Sequence, residues 1–160
     1  MIKIERLRSD EGARFRTIRL ASLRDAPAAF GSTFEAAVER PAESWSELIA
    51  QHATFIAVLD GVDIGVARGA PDDHEPRTAE LLGMWVAPGA RGKGVGDALV
   101  GAVVVWAHVG GFAELKLDVH DHNAPAIGLY RRNGFAPTGE TGTLPPPPAH
   151  LREHRYALML

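Results

Sequence analysis

Glycines recur between an apolar run and a longer helical pattern near the middle of the chain. Residues 84–100 read MWVAPGARGKGVGDALV, so a strand enters a glycine-rich turn that becomes the first turn of a helix. The first N–H groups of a helix have no acceptor within it, and the helix dipole adds partial positive charge there. Glycine lets the backbone approach a ligand closely, and Arg91 and Lys93 add charge beside the turn. The segment therefore predicts a cradle for an anion, most naturally a phosphate or pyrophosphate.

Two familiar phosphate motifs do not account for this segment. A P-loop requires GxxxxGK[ST], but position 87 is alanine, and Gly94 follows Lys93 where a hydroxyl residue is needed for magnesium. A dinucleotide fingerprint requires GxGxxG, and although Gly92 and Gly94 fit, the third position is Asp97. Taken alone, the segment is also compatible with a glycine-rich turn that holds no ligand.

The composition is that of an ordinary globular protein and excludes several functional classes. With 160 residues, 46% hydrophobic and 23% charged, we expect one domain spanning residues 1–160. The formal net charge of −3 provides no basic footprint of the kind that binds phosphate backbones, so we expect no nucleic-acid partner. The absence of cysteine excludes thiol nucleophiles, disulfides and cysteine zinc sites.

No segment predicts export or membrane insertion. The first residues are rich in charge and lack the apolar region of a signal peptide. The most apolar window, 98–109, is shorter than the roughly 20 residues needed to cross a bilayer. We therefore expect a cytoplasmic protein with no membrane partner.

Helical and extended hydrophobic periods follow one another and predict an α+β (mixed α/β) fold. Asp60-Gly61, the dipeptide that best suits a two-residue hairpin turn, separates two apolar runs. Helical patterns cover 11–24, a short segment before Pro41, the segment after it, 95–109 and 124–132. Extended patterns cover 2–8, 54–59, 62–70, 79–86, 114–120 and 155–160. This order predicts a largely antiparallel sheet followed by one β-α-β unit.

Two separate stretches, in the right order and at the right separation, carry a family resemblance. The first is Arg91-x-x-Gly94-x-Gly96, entered from a strand ending Val86-x-Pro88. The second lies within LKLDVHDHNAPAIGLYRRNGF and comprises Val119, Asn123, Ala126, Leu129-Tyr130 and Gly134-Phe135. Together with RLASLRDAPAAFGSTFE near the N-terminus, they resemble the GCN5-related N-acetyltransferase (GNAT) family. The resemblance implies a mostly antiparallel, splayed central sheet of six to seven strands flanked by about four helices.

The resemblance also implies acetyl-CoA as cosubstrate and no metal. In the family, amides of the glycine loop hold the CoA pyrophosphate, and the pantetheine arm pairs with the preceding strand beside a β-bulge. Carried onto this sequence, the cofactor-binding positions are Met84, Trp85, Val86, Arg91, Gly92, Lys93, Gly94, Val95, Gly96 and Asn123. An N–H in the segment 84–86 would face the thioester oxygen and stabilise the tetrahedral intermediate.

Acetyl transfer to an amine benefits from both a base and an acid. A lysine-like amine has a pKa near 10.4, so at pH 7 roughly one molecule in 2,500 is neutral and nucleophilic. The resemblance implies that Tyr130, at the family's Leu-Tyr position, protonates the departing thiolate. Glu80 is our candidate base, with His120 and His122 as alternatives. Ideal alternation would put Glu80 on the same strand face as Met84, unless a bulge changes the parity.

The aromatic residues divide between substrate contact and packing. Phe30 and Phe34 fall where relatives build the acceptor pocket, so we assign them to substrate binding, with packing as the alternative. Trp45 and Trp106 fit apolar helix faces and are expected in the core. Trp85 should point to the face opposite its neighbour at 84.

The histidines do not predict a metal site. His120 and His122 with Asp121 lack further ligands elsewhere in the sequence. His150 and His154 share helical spacing beside a proline run, which is an equally weak signal.

Together, these expectations predict an acetyl-CoA-dependent N-acetyltransferase that acetylates a primary amine. Because there is no cysteine to form an acetyl-enzyme thioester, we expect direct attack in a ternary complex. The acceptor is expected to be a small amine or an amine-bearing antibiotic, and the modest acidity slightly favours a cationic one. A protein N-terminus or lysine is an alternative acceptor, and a non-catalytic acyl-CoA-binding regulatory module is an alternative function. The resemblance leaves a homodimer open.

Overall fold

The computed structural model describes residues 1–27, 32–143 and 152–160, which build a seven-stranded sheet with helices on both faces. The strands are β1 (Lys3–Arg6), β2 (Ala53–Leu59), β3 (Val62–Pro71), β4 (Thr78–Val86), β5 (Glu114–His120), β6 (Ala136–Thr143) and β7 (Arg152–Met159). The helices are α1 (Gly12–Asp25), α2 (Phe34–Val38), α3 (Ala42–Gln51), α4 (Val95–Val109) and α5 (Ala124–Arg132). The strand order is β1-β2-β3-β4-β5-β7-β6, and of these neighbouring pairs β4–β5 alone is parallel. The expected α+β class is confirmed.

The hairpin between β2 and β3 forms at the predicted dipeptide. Asp60 and Gly61 have φ values of 51° and 79°, both in the left-handed region. This conformation matches the twist of the flanking strands, and Asp-Gly adopts it at low cost. Leu59 consequently pairs with Val62 at the turn.

The two faces of the sheet bury separate apolar clusters. On one face, α4 contributes Leu99 and Val103, both fully buried. On the other face, α1 and α3 meet where the rings of Phe15 and Trp45 pack edge to face, 5.4 Å apart. Trp45 therefore lies in the core, as expected.

Close contact of α4 with the sheet depends on a glycine in β3. A Cβ built on Gly69 would lie 2.5 Å from ring carbons of Trp106. No side chain fits at that distance, so Gly69 provides the space that the indole occupies. Trp106 packs partly buried against the α4 cluster, in agreement with the prediction that it is a packing residue.

The structure corrects several predicted boundaries. Strand β6 was not predicted, because its sequence APTGETGT has no apolar alternation; it forms by pairing with β7. The first strand spans Lys3–Arg6 instead of 2–8, and the last begins at Arg152 instead of Arg155. Within the described residues, no helix is both long and apolar enough to cross a bilayer.

Strand β4 separates from β5 halfway along its length. The two strands pair in parallel from Thr78 to Glu80, whereas β5 goes on beside β7 as far as His120. In the separated part, β4 has two residues between Leu82 and Trp85 where β3 has one, which is a β-bulge. Gly83 lies in this bulge with a φ of 60°.

The bulge reverses which face each side chain of β4 occupies. Before it, Leu81 points into the α4 cluster, and after it Met84 does so. Trp85 points into the opposite cluster, as predicted. Glu80 and Met84 therefore lie on opposite faces, and the common face expected from ideal alternation is wrong. The extra residue in the bulge is the physical reason.

Candidate active site

The separation of β4 from β5 opens a cleft of about 900 Å³. The end of β4 and the glycine loop form one wall, and the end of β5 with the start of α5 forms the other. The first residues of α4 lie at the base between them. The expected cofactor positions 84–86, 91, 92, 94–96 and 123 all line this cleft. Lys93 is exposed and is not among the lining residues.

The glycine loop delivers the N-terminus of α4 to the cleft. Gly92 and Gly94 have φ values of 76° and 83°, a conformation that disfavours side chains, and a Cβ at either would meet nothing within 4 Å. Gly94 is the N-cap, and its carbonyl accepts the first helical bond, from the N–H of Ala98. The N–H groups of residues 95–97 precede that bond. They therefore form the donor set that an anion can use.

Gly96 serves helix packing. A Cβ there would lie 3.0 Å from Leu129 Cδ2, so glycine allows α4 and α5 to approach. The same end of α4 is tied to α5 through Asp97, which accepts two bonds from Arg132 at 3.0 and 3.1 Å. A third bond comes from the side-chain amide of Asn133 at 2.9 Å. The hydrogen bond from Arg132 is the main reason that the pKa of Asp97 lies below its ordinary value.

Arg91 holds the glycine loop in place through internal bonds. Its Nε donates to the carbonyl of Val86 at 2.9 Å, and its Nη2 donates to Asp25 at 2.7 Å. The same carboxylate accepts the indole N–H of Trp85 at 2.9 Å, which is the main reason that the pKa of Asp25 is lowered. Arg91 therefore fixes the loop, and its half-exposed guanidinium borders the cleft.

Asn123 caps α5 at the opposite wall. Its Oδ1 accepts the backbone N–H of Ala126 at 3.3 Å. This bond orients the first turn of α5 toward the cleft, which Asn123 itself lines.

The candidate acid and base do not line the cleft. Tyr130 is buried within the α4 cluster, with its ring 5.9 Å from that of Phe135, and burial raises the pKa of its phenol. Glu80 lies where β4 still pairs with β5, 3.5 Å from Arg155. Burial first, and a hydrogen bond with Asp72 second, raise the pKa of Glu80.

The two alternative bases do line the cleft. His120 ends β5 and its ring lies 6.5 Å from that of His122. Burial, followed by the neighbouring His122, lowers the pKa of His120, so its imidazole is neutral at pH 7. Its Nδ1 is buried and has no hydrogen-bond partner in the part of the chain that the structure describes.

Residues 18–135 match the model of the acetyltransferase (GNAT) family. The chain belongs to the GNAT family. It is similar to the streptothricin acetyltransferase of Streptomyces lavendulae, with 38% identity over 107 residues that cover 66% of this chain and 56% of that protein. It is also similar to an IAA acetyltransferase of Azospirillum brasilense, with 35% identity over 79 residues. These cover 49% of this chain and 52% of that protein. This GNAT chain thus spans about half the length of these curated relatives.

Solved structures of GNAT proteins share the fold along the whole chain. An acetyltransferase from Streptococcus pneumoniae superposes with a TM-score of 0.83 at 18% identity, covering 100% of this chain and 99% of that one. A putative acetyltransferase from Salmonella typhimurium, solved with its cofactor acetyl-CoA, superposes with a TM-score of 0.78 at 19% identity. The match covers 100% of this chain and 94% of that one. At these identities the likeness shows the GNAT fold.

A second cavity of this GNAT chain, about 280 Å³ in volume, was not predicted from the sequence. It lies on the face that carries α1 and α3, and its walls include Arg19, Arg40 and Arg68. We call it the arginine cavity. The sequence carries a signal for it, since Arg19 falls within the apolar stripe of α1 and Arg68 within the apolar run of β3.

Of the two proposed substrate-binding aromatics, Phe34 lies in the described residues, and it lines neither cavity. Phe34 begins α2 and packs partly buried against the second cluster, with the guanidinium of Arg24 4.7 Å above its ring. Phe30 lies outside the described residues, as does His150.

Proposed function

We propose that this protein is an acetyl-CoA-dependent N-acetyltransferase that acetylates a primary amine by direct attack in a ternary complex. One observation carries the proposal: the exposed amides of the α4 N-terminus and the separated edge of β4 border the same cleft. The first suits a diphosphate. The second offers backbone groups to an extended arm, as a neighbouring strand would.

The cofactor-binding residues then have different roles. Residues 92 and 94, with the N–H groups of residues 95–97, present the backbone that faces the pyrophosphate. Met84, Trp85 and Val86 pair with the pantetheine arm, and Asn123 contacts it from the opposite wall. Arg91 and Gly96 act by fixing the loop and the helix approach, and Lys93 adds positive charge at the rim.

In the reaction, the amine nitrogen attacks the thioester carbonyl, the C–S bond breaks and CoA leaves as a thiolate. Acetyl-CoA supplies the activated acyl group. A backbone N–H of the segment 84–86 donates to the developing oxyanion. Burial keeps the Tyr130 phenol protonated, and we assign to it a hydrogen bond to the departing sulfur, made through water because Tyr130 does not line the cleft. The raised pKa makes full transfer of that proton unfavourable, so hydrogen bonding to the thiolate is its main contribution.

We assign the general base to Glu80, which acts through water because it does not line the cleft. Its raised pKa makes it a stronger base than an ordinary glutamate. His120 is the competing base, because it lines the cleft and its buried Nδ1 has no hydrogen-bond partner among the described residues.

Titration with CoA and acetyl transfer to a panel of amines test the proposal. We expect saturable heat with CoA, protection from melting, and CoA release with at least one primary amine. Gly94→Val should abolish binding, because its φ of 83° disfavours any side chain. Gly101→Ala is the matched control, since a Cβ there meets nothing within 4 Å. Absence of CoA binding would contradict the proposal, and binding without any transfer would instead indicate a regulatory module.

A further inference from the structure

The described residues that line the arginine cavity carry positive charge and no negative charge. Its three arginines come from α1, from the turn before α3 and from β3, and none of the residues that line it is acidic. The segments 28–31 and 144–151 contain no aspartate or glutamate either. Arg40 and Arg68 have no carboxylate partner in the described residues: Arg40 donates to Ser44, and Arg68 contacts His52 at 3.2 Å.

Other arginines of this chain are arranged differently. Arg14 donates twice to Asp63 at 2.8 Å, and Arg155 donates twice to Asp118 at 3.0 Å. Both pairs are more exposed than Arg19, which is 8% exposed. Of the cavity arginines, Arg19 is thus more deeply buried than these ion-paired ones, whereas Arg40 is exposed.

Burial of like charges in this cavity is unfavourable for the protein alone. Burial, followed by the charge of Arg68, lowers the pKa of Arg19 to about 10. Burial, followed by the charge of Arg40, lowers the pKa of Arg68 to about 10. Both guanidiniums remain charged at pH 7, and neighbouring like charges repel each other. An anion in the cavity would supply the opposite charge.

The cavity is also the right size and polarity for a small ligand with an apolar part. Its volume of about 280 Å³ is at the lower end for ligand pockets. Phe15, Leu23 and Leu48 provide apolar walls. Trp45 lines it as well, and its buried indole N–H has no acceptor in the described part of the chain.

The bulge of β4 lies against this cavity and leads directly into the segment that lines the cleft. A Cβ on Gly83 would lie 3.3 Å from Arg19 Nη1 and 3.4 Å from Arg68 Nε, so both guanidiniums lie directly against the bulge. Met84, the next residue, lines the cleft. Consecutive Cα atoms are about 3.8 Å apart, so the two guanidiniums lie within a few ångströms of the backbone that begins the segment 84–86.

We propose that the arginine cavity binds the carboxylate of the acceptor, which is therefore a small amino acid-like molecule with an apolar side chain and not an amine that lacks a carboxylate. This inference rests on the proposed acetyltransferase function. Arginine forks bind carboxylates through paired hydrogen bonds. The amine at the other end of the acceptor then faces the thioester.

Matched acceptor pairs test the inference: L-phenylalanine against phenethylamine, and L-leucine against isoamylamine. We expect kcat/KM to favour the amino acid by about 10- to 100-fold, the usual effect of a hydrogen-bonded charge. Arg40→Gln should remove most of this preference. Arg24→Gln is the control, because Arg24 stacks on Phe34 outside the cavity walls. Equal rates within each pair, or a preference that survives Arg40→Gln, would overturn the inference.

A binding measurement separates this inference from the proposed function. N-acetyl-L-phenylalanine should protect the wild-type protein from melting more than N-acetyl-L-phenylalaninamide does, and Arg68→Met should lose that difference. Arg68→Met should itself melt no lower than wild type, because it removes a buried like charge. If CoA binds and amines are acetylated but the carboxylate gives no added protection, the inference alone fails. If CoA does not bind, the proposed function fails.

Discussion

The indole N–H of Trp85 donates to Oδ2 of Asp25 at 2.9 Å, across 60 residues of sequence. The same oxygen accepts from Arg91 at 2.7 Å. One carboxylate at the end of α1 therefore holds both the end of β4 and the loop that leads into α4. The geometry of the cleft depends on a residue outside the glycine motif.

Asp25→Ala should raise KM for acetyl-CoA while changing kcat little, because it releases the glycine loop without touching the reacting atoms. Loss of these two bonds should also lower the free energy of unfolding by about 1 kcal/mol. Steady-state kinetics and urea unfolding measure the two effects. Asp10→Ala is the control, since its ion pair with Arg8 is mostly exposed and contributes little. Equal effects of the two variants would contradict this role for Asp25.

Tyr130→Phe should lower kcat by about 100-fold and leave KM for acetyl-CoA nearly unchanged. The ring keeps its packing against Phe135, and only the hydroxyl is lost. Steady-state kinetics with acetyl-CoA as the varied substrate measure the effect, and thermal melting checks the fold. An unchanged kcat would show that Tyr130 is a packing residue.

Glu80→Gln should lower kcat/KM for the amine by about 100-fold and remove the acidic limb of the pH profile. A base acts when deprotonated, so activity should rise as the pH rises through the pKa of Glu80, which lies above its ordinary value. His120→Gln should have the smaller effect. If His120→Gln is the more damaging variant and shifts the acidic limb, the base is His120.

Gly69→Ala should destabilise the protein by about 1–3 kcal/mol, because the new Cβ would lie 2.5 Å from the ring of Trp106. Gly101→Ala, within α4 and with open space around its Cβ, should instead stabilise by up to about 1 kcal/mol. Urea unfolding of both variants measures the difference. A neutral Gly69→Ala would mean that α4 can move away from the sheet.

Stability should fall as the pH drops below about 6.5, partly through His52. Burial, followed by the charge of Arg68, lowers the pKa of His52 in the folded protein. Between that value and the ordinary one, the unfolded chain binds more protons, so the free energy of unfolding increases with pH. His52→Gln should show a smaller loss of stability between pH 7.5 and 5 in urea unfolding. An identical loss in the variant would exclude His52 as a source.

Local signals in the sequence were sufficient for the hairpin and for the start of α4. Asp60-Gly61 and the glycines of the loop specify backbone conformations that depend on few neighbours. The two linked motifs likewise predicted the family and the fold class correctly.

The features that fix the shape of the site depend on partners distant in sequence. The bulge at Gly83 is defined by how β4 pairs with β3. The alternation of apolar and polar residues within β4 therefore could not predict it. Strand β6 depends on β7 in the same way. Arg19 and Arg68 lie 49 positions apart, and only the packing of α1 on β3 brings both against Gly83.

The departure of β4 from β5 leaves an edge in the interior of the sheet. Exposed strand edges can pair with other polypeptides, but this edge lies inside the cleft, between its two walls. A molecule bound there would bridge the two halves of the sheet and stiffen them against each other. Binding of a molecule in the cleft should therefore slow amide hydrogen exchange in both β4 and β5, including positions outside the cleft.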